Sequence, residues 1–199
     1  MSWITWLRGL WLLRYPELVR ALGDLRLSIL ELEKIRSCYP GVRIHADVLI
    51  QGWSKGQMNL ASGVSIGKGT ILSLGDEFDG YGTLAIGADT WIGQYNNLRM
   101  SKGANISIGK GCLISQFCSL IASNHTMDRS TPIQESPSDS SRTGINVGDD
   151  VWLGVGVTIL PGSMLGEGVV IGANSVVNTF IPPYEIWAGS PARKIGERK

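Results

Sequence analysis

Over most of this 199-residue chain an aliphatic residue returns every sixth position, in the form aliphatic-Gly-x-x-small-x. The pattern is visible in Ile66-Gly67…Thr70, Ile86-Gly87…Thr90 and Ile108-Gly109…Cys112. It then runs unbroken through Val147-Gly148…Val151, Leu153-Gly154…Val157, Ile159…Ser163, Leu165-Gly166…Val169 and Ile171-Gly172…Ser175. Six is neither a helical nor a strand period. A unit this short cannot bury its own apolar side chain, so successive units must stack and share one interior. The repeat therefore predicts a solenoid whose coil is a polygon of short strands and turns. The 26 glycines supply turn positions where a side chain would clash or φ must be positive.

Unbroken aliphatic-Gly-x-x-small-x hexads resemble those of the hexapeptide-repeat acetyltransferases, and the resemblance runs from about Ile44 to Lys199. It implies a mainly β fold, a left-handed parallel β-helix of triangular cross-section. The hand comes from the family alone, since parallel crossovers in general favour the right hand.

With three hexads to a coil, the register can be followed through Leu60, Ile66, Leu72, then Ile86, Ile92, Leu98, then Ile108, Ile114, Leu120, and on to Val147. Each slip follows a third hexad. The inserted residues, about 74–85, 99–107 and 122–146, should therefore leave the prism at one corner and stack there. Loops held by a rigid scaffold are where binding and catalytic groups concentrate. The longest of the three contains His125.

The formal net charge of +1 gives no electrostatic footprint for nucleic acid. Three cysteines without paired spacing argue against a disulfide framework or a zinc site, and Cys112 and Cys118 fall at the small position of successive hexads, as core filler. Before the repeats, Trp3, Ile4, Leu7, Leu10 and Trp11 recur at helical spacing, as do Leu18, Leu22, Leu25, Ile29, Leu32 and Ile35, with a break near Tyr15-Pro16. The second helix is expected to cap the open end of the solenoid. The first, with Trp3, Trp6, Trp11, Arg8 and Arg14 and no acid before Glu17, has the composition of an interfacial anchor, so residues 1–15 are a candidate peripheral membrane contact of a cytoplasmic protein. The expected organisation is a helical appendage at 1–41, the β-helix at 42–181 with its loop at 122–146, and a coenzyme-binding tail at 182–199.

The resemblance also implies a chemistry. His125, in Ser123-Asn124-His125-Thr126-Met127-Asp128, stands where the chain leaves a coil for a long loop, a place at which many acetyltransferases of the family keep the histidine that deprotonates the acceptor. Imidazole suits that work because its ordinary titration lies near neutral pH. The only other histidine, His45, reads as a surface residue. Two histidines do not make a three-histidine zinc site, and no metal is expected.

The donor implied is acetyl-CoA. The string Ile171-Gly172-Ala173-Asn174-Ser175-Val176-Val177, followed by Ile181-Pro182-Pro183-Tyr184 and Ala188-Gly189-Ser190-Pro191-Ala192-Arg193, is specific to this group of enzymes. By resemblance the pantetheine arm runs beside Gly154 and Ala173, while Arg193, with Lys194 near it, reaches the nucleotide phosphates. Thr179 and Gly196 depart from the lysine and second arginine that some relatives carry. On the acceptor side the resemblance points to Asn97, Asn124 and Trp152. Asp128 and Glu135 are candidates to orient His125, the Gly154 N–H is a candidate oxyanion donor, and serine-rich 136–143 is expected to be mobile.

These features imply an acetyl-CoA-dependent O-acetyltransferase acting on a sugar or surface-polysaccharide precursor, assembled as a homotrimer with its acceptor site between subunits. The His-x-Met-Asp-x-Ser-Thr string also resembles the xenobiotic acetyltransferases that modify antibiotics, although Pro132-Ile133-Gln134 stands where aromatic residues are expected. An amino-sugar N-acetyltransferase and a non-catalytic β-helix assembly subunit are the remaining alternatives.

Overall fold

The computed structural model describes residues 14–54 and 56–199. The chain divides into two compact units between Cys38 and Tyr39. The first contains helix α1, Pro16–Cys38. Proline at its start needs no intrahelical N–H partner, Glu17 sits in the first turn and Arg36 in the last, and both charges complement the helix dipole. Leu32 and Ile35 are buried, whereas Leu18, Leu22, Leu25 and Ile29 are exposed. No described helix is long and apolar enough to cross a membrane. The Trp-rich stretch read as a membrane contact lies, up to residue 13, outside the described residues.

The second unit is a parallel β-solenoid. Each coil visits three walls in turn, in strands of two or three residues. Wall 1 is built from Arg43–Ile44, Ser65–Ile66, Trp91–Ile92, Leu113–Ile114, Trp152–Leu153 and Val170–Ile171. Wall 2 stacks Leu49–Gln51, Ile71–Ser73, Asn97–Arg99, Ser119–Ile121, Thr158–Ile159 and Val176–Val177. Wall 3 stacks Met58–Leu60, Leu84–Ile86, Ile106–Ile108, Ile145–Val147, Ser163–Leu165 and Phe180–Ile181. Wall 1 is extended by an antiparallel hairpin of Glu185–Gly189 and Ala192–Glu197.

The hexad aliphatics form the interior. Leu72, Leu98, Leu120, Ile159 and Val177 lie in register up wall 2, and each is shut off from solvent. Ile66, Ile92, Ile114, Leu153 and Ile171 do the same in wall 1, and Leu60, Ile86, Ile108, Val147, Leu165 and Ile181 in wall 3. At roughly 1.5–3 kcal/mol for each fully buried aliphatic side chain, these ladders are the main stabilising term. The small position is inside as well. Thr70, Thr90, Cys112, Cys118, Val157 and Ser175 are buried there, and their polar atoms bond to neighbouring backbone, as Thr90 Oγ1 does to the Gly109 carbonyl at 2.7 Å. Burial pushes the Cys112 and Cys118 thiols up, as befits core residues.

Glycine after the aliphatic residue allows neighbouring coils to approach. A Cβ on Gly154 would meet the Ala173 nitrogen at 2.7 Å. Three residues after the aliphatic, the turn needs positive φ. Gly69 has it (φ +68), and the same turn of the next coil places Tyr95 there at φ 57, its ring stacked on Phe117 at 5.4 Å between centroids.

Two of the three edges of the prism carry four-residue turns, such as 67–70 and 87–90. Every insertion enters and leaves between wall 2 and wall 3, at 74–83, 100–105 and 122–144, as the register of the hexads requires. A further excursion, 52–57, joins them at the same edge. The sequence concealed this one because the repeat is too sparse in the first coil to show a slip.

Candidate active site

The longest insertion folds back on itself. The Gly144 N–H donates to the Ala122 carbonyl (2.8 Å), the Asp139 N–H to that of Asn124 (2.7 Å) and the Thr126 N–H to that of Pro137 (2.9 Å), so the ends of the loop form an antiparallel ladder with His125 paired to Ser138. The Ser141 N–H and hydroxyl bond to Asp139, and Arg142 donates to the Asn178 carbonyl. These bonds give a defined path to the backbone of 136–143, the stretch expected to be mobile in the absence of ligand. Serines that read as a flexible composition act here as local hydrogen-bonding groups.

His125 is exposed, and its Nδ1 lies 2.9 Å from the carbonyl oxygen of Ser136. A carbonyl can only accept, so Nδ1 carries the proton and Nε2 of the neutral ring is left as a base. This backbone carbonyl holds the ring, in place of the carboxylates considered from the sequence. Asp128 faces its own turn, accepting from the Ser130 N–H (2.9 Å) and hydroxyl (2.8 Å), and these bonds hold its carboxyl below the usual range. Glu135 ends a short 3-10 turn, Ile133–Glu135. Ser136 escaped detection because a backbone carbonyl leaves no signature in side-chain chemistry.

Asn124 adjoins His125 in the ladder and is exposed. Asn97 is also exposed, in wall 2, in register between Ile71 and Ser119. Trp152 lies elsewhere. It stands half-exposed on the outer face of wall 1, above Leu113 and Trp91, with its indole N–H 3.4 Å from the Ser115 hydroxyl. Wall 1 is opposite the edge that bears His125, so within one chain Trp152 and the histidine are not brought together.

The residues assigned to the donor gather on the wall 1 side. Gly154 and Ala173 touch across successive coils where wall 1 turns into wall 2. The Gly154 N–H donates to the Ile171 carbonyl at 2.8 Å, so it is already engaged in the coil-to-coil ladder and is not a free oxyanion donor, contrary to expectation. Arg193 and Lys194 lie in the terminal hairpin, opposite Ala188 and Trp187. The Arg193 guanidinium donates to the Ala192 carbonyl (2.8 Å). The Lys194 ammonium is gripped by Glu185 (2.7 Å) and by Glu197, which raises its pKa, with the Glu185 bond the larger cause.

Beside His125, the stacked insertions enclose an open groove of about 550 Å³. Its walls include Phe78 and Asp79 from the first of these loops, Ser101 and Lys102 from the second, and Ser138 and Asp139 from the third. Phe78 is at the tip of a hairpin, Gly75–Asp76 with Gly80–Tyr81, whose turn is fixed by Asp76 Oδ1 accepting from the N–H groups of Phe78 (2.9 Å) and Asp79 (2.8 Å).

A family model described as bacterial transferase hexapeptide (six repeats) matches residues 144–179. The chain is 38% identical over 107 residues to a chloramphenicol acetyltransferase of Morganella morganii, covering 43% of this chain and 51% of that one. It is 51% identical over 53 residues, 27% of each chain, to a protein of Escherichia coli (strain K12) that carries the provisional name of a lipopolysaccharide biosynthesis O-acetyl transferase. The matches span from a quarter to about half of the length of these curated relatives. Among solved structures, the chain is similar to AntD, an N-acyltransferase from Bacillus cereus in complex with dTDP and 3-hydroxybutyryl-CoA, with TM-score 0.68 and 27% identity over 85% of this chain and 87% of that one. Repeat, fold and relatives agree that the chain carries the hexapeptide repeat and is similar to acetyltransferases and acyltransferases built on it.

Proposed function

We propose that the chain transfers an acetyl group from acetyl-CoA to a hydroxyl of a sugar or surface-polysaccharide precursor, with His125 as the general base. The observation that carries this reading is the bond from His125 Nδ1 to the Ser136 carbonyl, which leaves Nε2 as a proton acceptor at the edge where the insertions collect. In the reaction Nε2 takes the proton of the acceptor hydroxyl while its oxygen attacks the thioester carbonyl. The tetrahedral intermediate then collapses with cleavage of the carbon–sulfur bond, and the imidazolium returns its proton to the departing CoA thiolate. The relative named for lipopolysaccharide biosynthesis supports the saccharide acceptor, and coenzyme A compounds bound by AntD support the donor. A CoA donor fits the cytoplasmic location read from the sequence.

The two halves of the site sit on different sides of one prism, so we assign the working form to a homotrimer in which the His125 edge of one subunit faces the donor side of another. The half-exposed ladder of Trp91, Leu113 and Trp152 on wall 1 supports burial against a second copy. The N-acyltransferase named among the solved structures favours a second reading, transfer to the amine of an amino-sugar.

The test is incubation of the purified protein with acetyl-CoA and separate panels of saccharides, amino-sugars and hydroxylated antibiotics, with product mass spectrometry. Hydroxylamine separates the labile ester from the stable amide. An ester on a saccharide, reduced at least ~100-fold in kcat/KM by His125→Ala with an unchanged melting temperature, is the expected result. Preference for the antibiotics, or full activity of the variant, removes the reading.

A further inference from the structure

We propose that the groove beside His125 is a carbohydrate subsite, which holds sugar units of an oligosaccharide beyond the one that meets the imidazole. The inference rests on the acetyltransferase reading only for what happens at His125; occupancy of the groove is separate from it. The groove adjoins the histidine's segment, because Ser123 and Ser138 are in its wall and Ser138 pairs through the backbone with His125 across the loop ladder. Its volume of about 550 Å³ lies within the ~300–1,000 Å³ of sites for small organic ligands.

The lining selects the class of ligand. Serine and threonine hydroxyls and the carboxylates of Asp79 and Asp139 are set among apolar surface to which Phe78, Ala104 and Pro137 contribute, so the groove offers both hydrogen-bonding groups and C–H contact, the combination that a pyranose ring presents. Asp79 is paired with Arg99 at 3.7 Å and Asp139 accepts from Ser141, which leaves Lys102 as the one ammonium in the lining; this is no cluster of free cations for a nucleotide diphosphate or a polyanion, and a neutral or amino-bearing sugar is favoured. Phe78 is 98% exposed yet held on a pinned turn, so an aromatic face is presented at the rim, where the C–H face of a pyranose ring can stack.

A further observation points to a missing partner. Ser101 is only 3% exposed, lies in the groove wall, and its hydroxyl has no hydrogen-bond partner among the described residues. Buried hydroxyls are almost always satisfied, so this one is a position for a ligand hydroxyl.

The experiment uses the full chain and an array of bacterial surface oligosaccharides printed beside their constituent monosaccharides and nucleotide-activated sugars. The His125→Ala protein is included, so that binding is read without turnover. We expect retention of neutral or amino-bearing oligosaccharides in preference to single sugars by both proteins, and a loss of about tenfold in affinity for Phe78→Ala, the equivalent of one aromatic stacking contact. Lys102→Ala, also at an exposed position, is expected to weaken the same glycans. Retention of no oligosaccharide, retention unchanged in both variants, or preference for the nucleotide-activated sugars overturns the proposal. If the groove binds glycans but none is acetylated, the acetyltransferase reading fails and the subsite stands. Acetylation without groove-dependent retention gives the reverse.

Discussion

At the scale of single residues, the hexad assigns two kinds of work to small side chains. Gly154 does not need positive φ; it is glycine because the backbone of the next coil leaves no space for a Cβ, with Ala173 N at 2.7 Å and Ile171 O at 3.0 Å. Backbone cannot rotate away as a side chain can, so Gly154→Ala is expected to cost about 1–3 kcal/mol, read as a lower midpoint in urea unfolding. The aliphatic positions were legible in the sequence because burial follows the period: Leu72, Leu98 and Leu120 were placed inside by spacing alone and are fully buried. What spacing could not reveal is backbone chemistry. The carbonyl of Ser136 on His125 and the commitment of the Gly154 N–H to Ile171 depend on where the main chain runs after folding, to which side-chain identity is blind.

At the scale of elements, two hairpins carry charge that can be tested. In the terminal hairpin Lys194 is held by Glu185 and Glu197, whereas among the described residues Arg193 donates to a neighbouring carbonyl and to no carboxylate. If the tail receives coenzyme phosphates, Arg193→Ala is expected to raise the KM for acetyl-CoA more than Lys194→Ala does, in steady-state assays with a common acceptor. The Gly75–Tyr81 hairpin depends on the Asp76 carboxylate, whose pKa is lowered chiefly by the bond from the Asp79 N–H and next by that from Phe78. A depressed carboxyl stabilises fully above its unfolded value, about 3.9, and loses that contribution as pH falls through the lower folded value. Amide exchange at Phe78 and Asp79 should therefore be slowed near neutrality and lose this protection only in acid below pH ~4. The sequence marked 74–85 as a loop by the slip in register. The hairpin inside it went unread because Gly75–Asp76 and Gly80–Tyr81 are too short to show alternation.

At the scale of the whole molecule, the edge that gathers the insertions was legible once three hexads were counted to a coil, and the expected place of the candidate site followed from it. The stripe proposed as a partner surface was less visible, since Trp91, Leu113 and Trp152 are far apart in sequence and come together only when wall 1 stacks. If that stripe is buried between copies, Trp152→Glu is expected to shift sedimentation from trimer to monomer while circular dichroism of the β-solenoid is retained; a wild-type monomer would remove the shared-site model. The restriction of every excursion to the junction of walls 2 and 3 has a further consequence. A loop that departs and returns at the same edge imposes no change of phase on the coils above and below, so segments such as 122–144 are modular. Exchanging that segment for one of different length from a similar protein should redirect acceptor choice while donor recognition stays as it was, which makes this edge the natural place to reprogram the molecule.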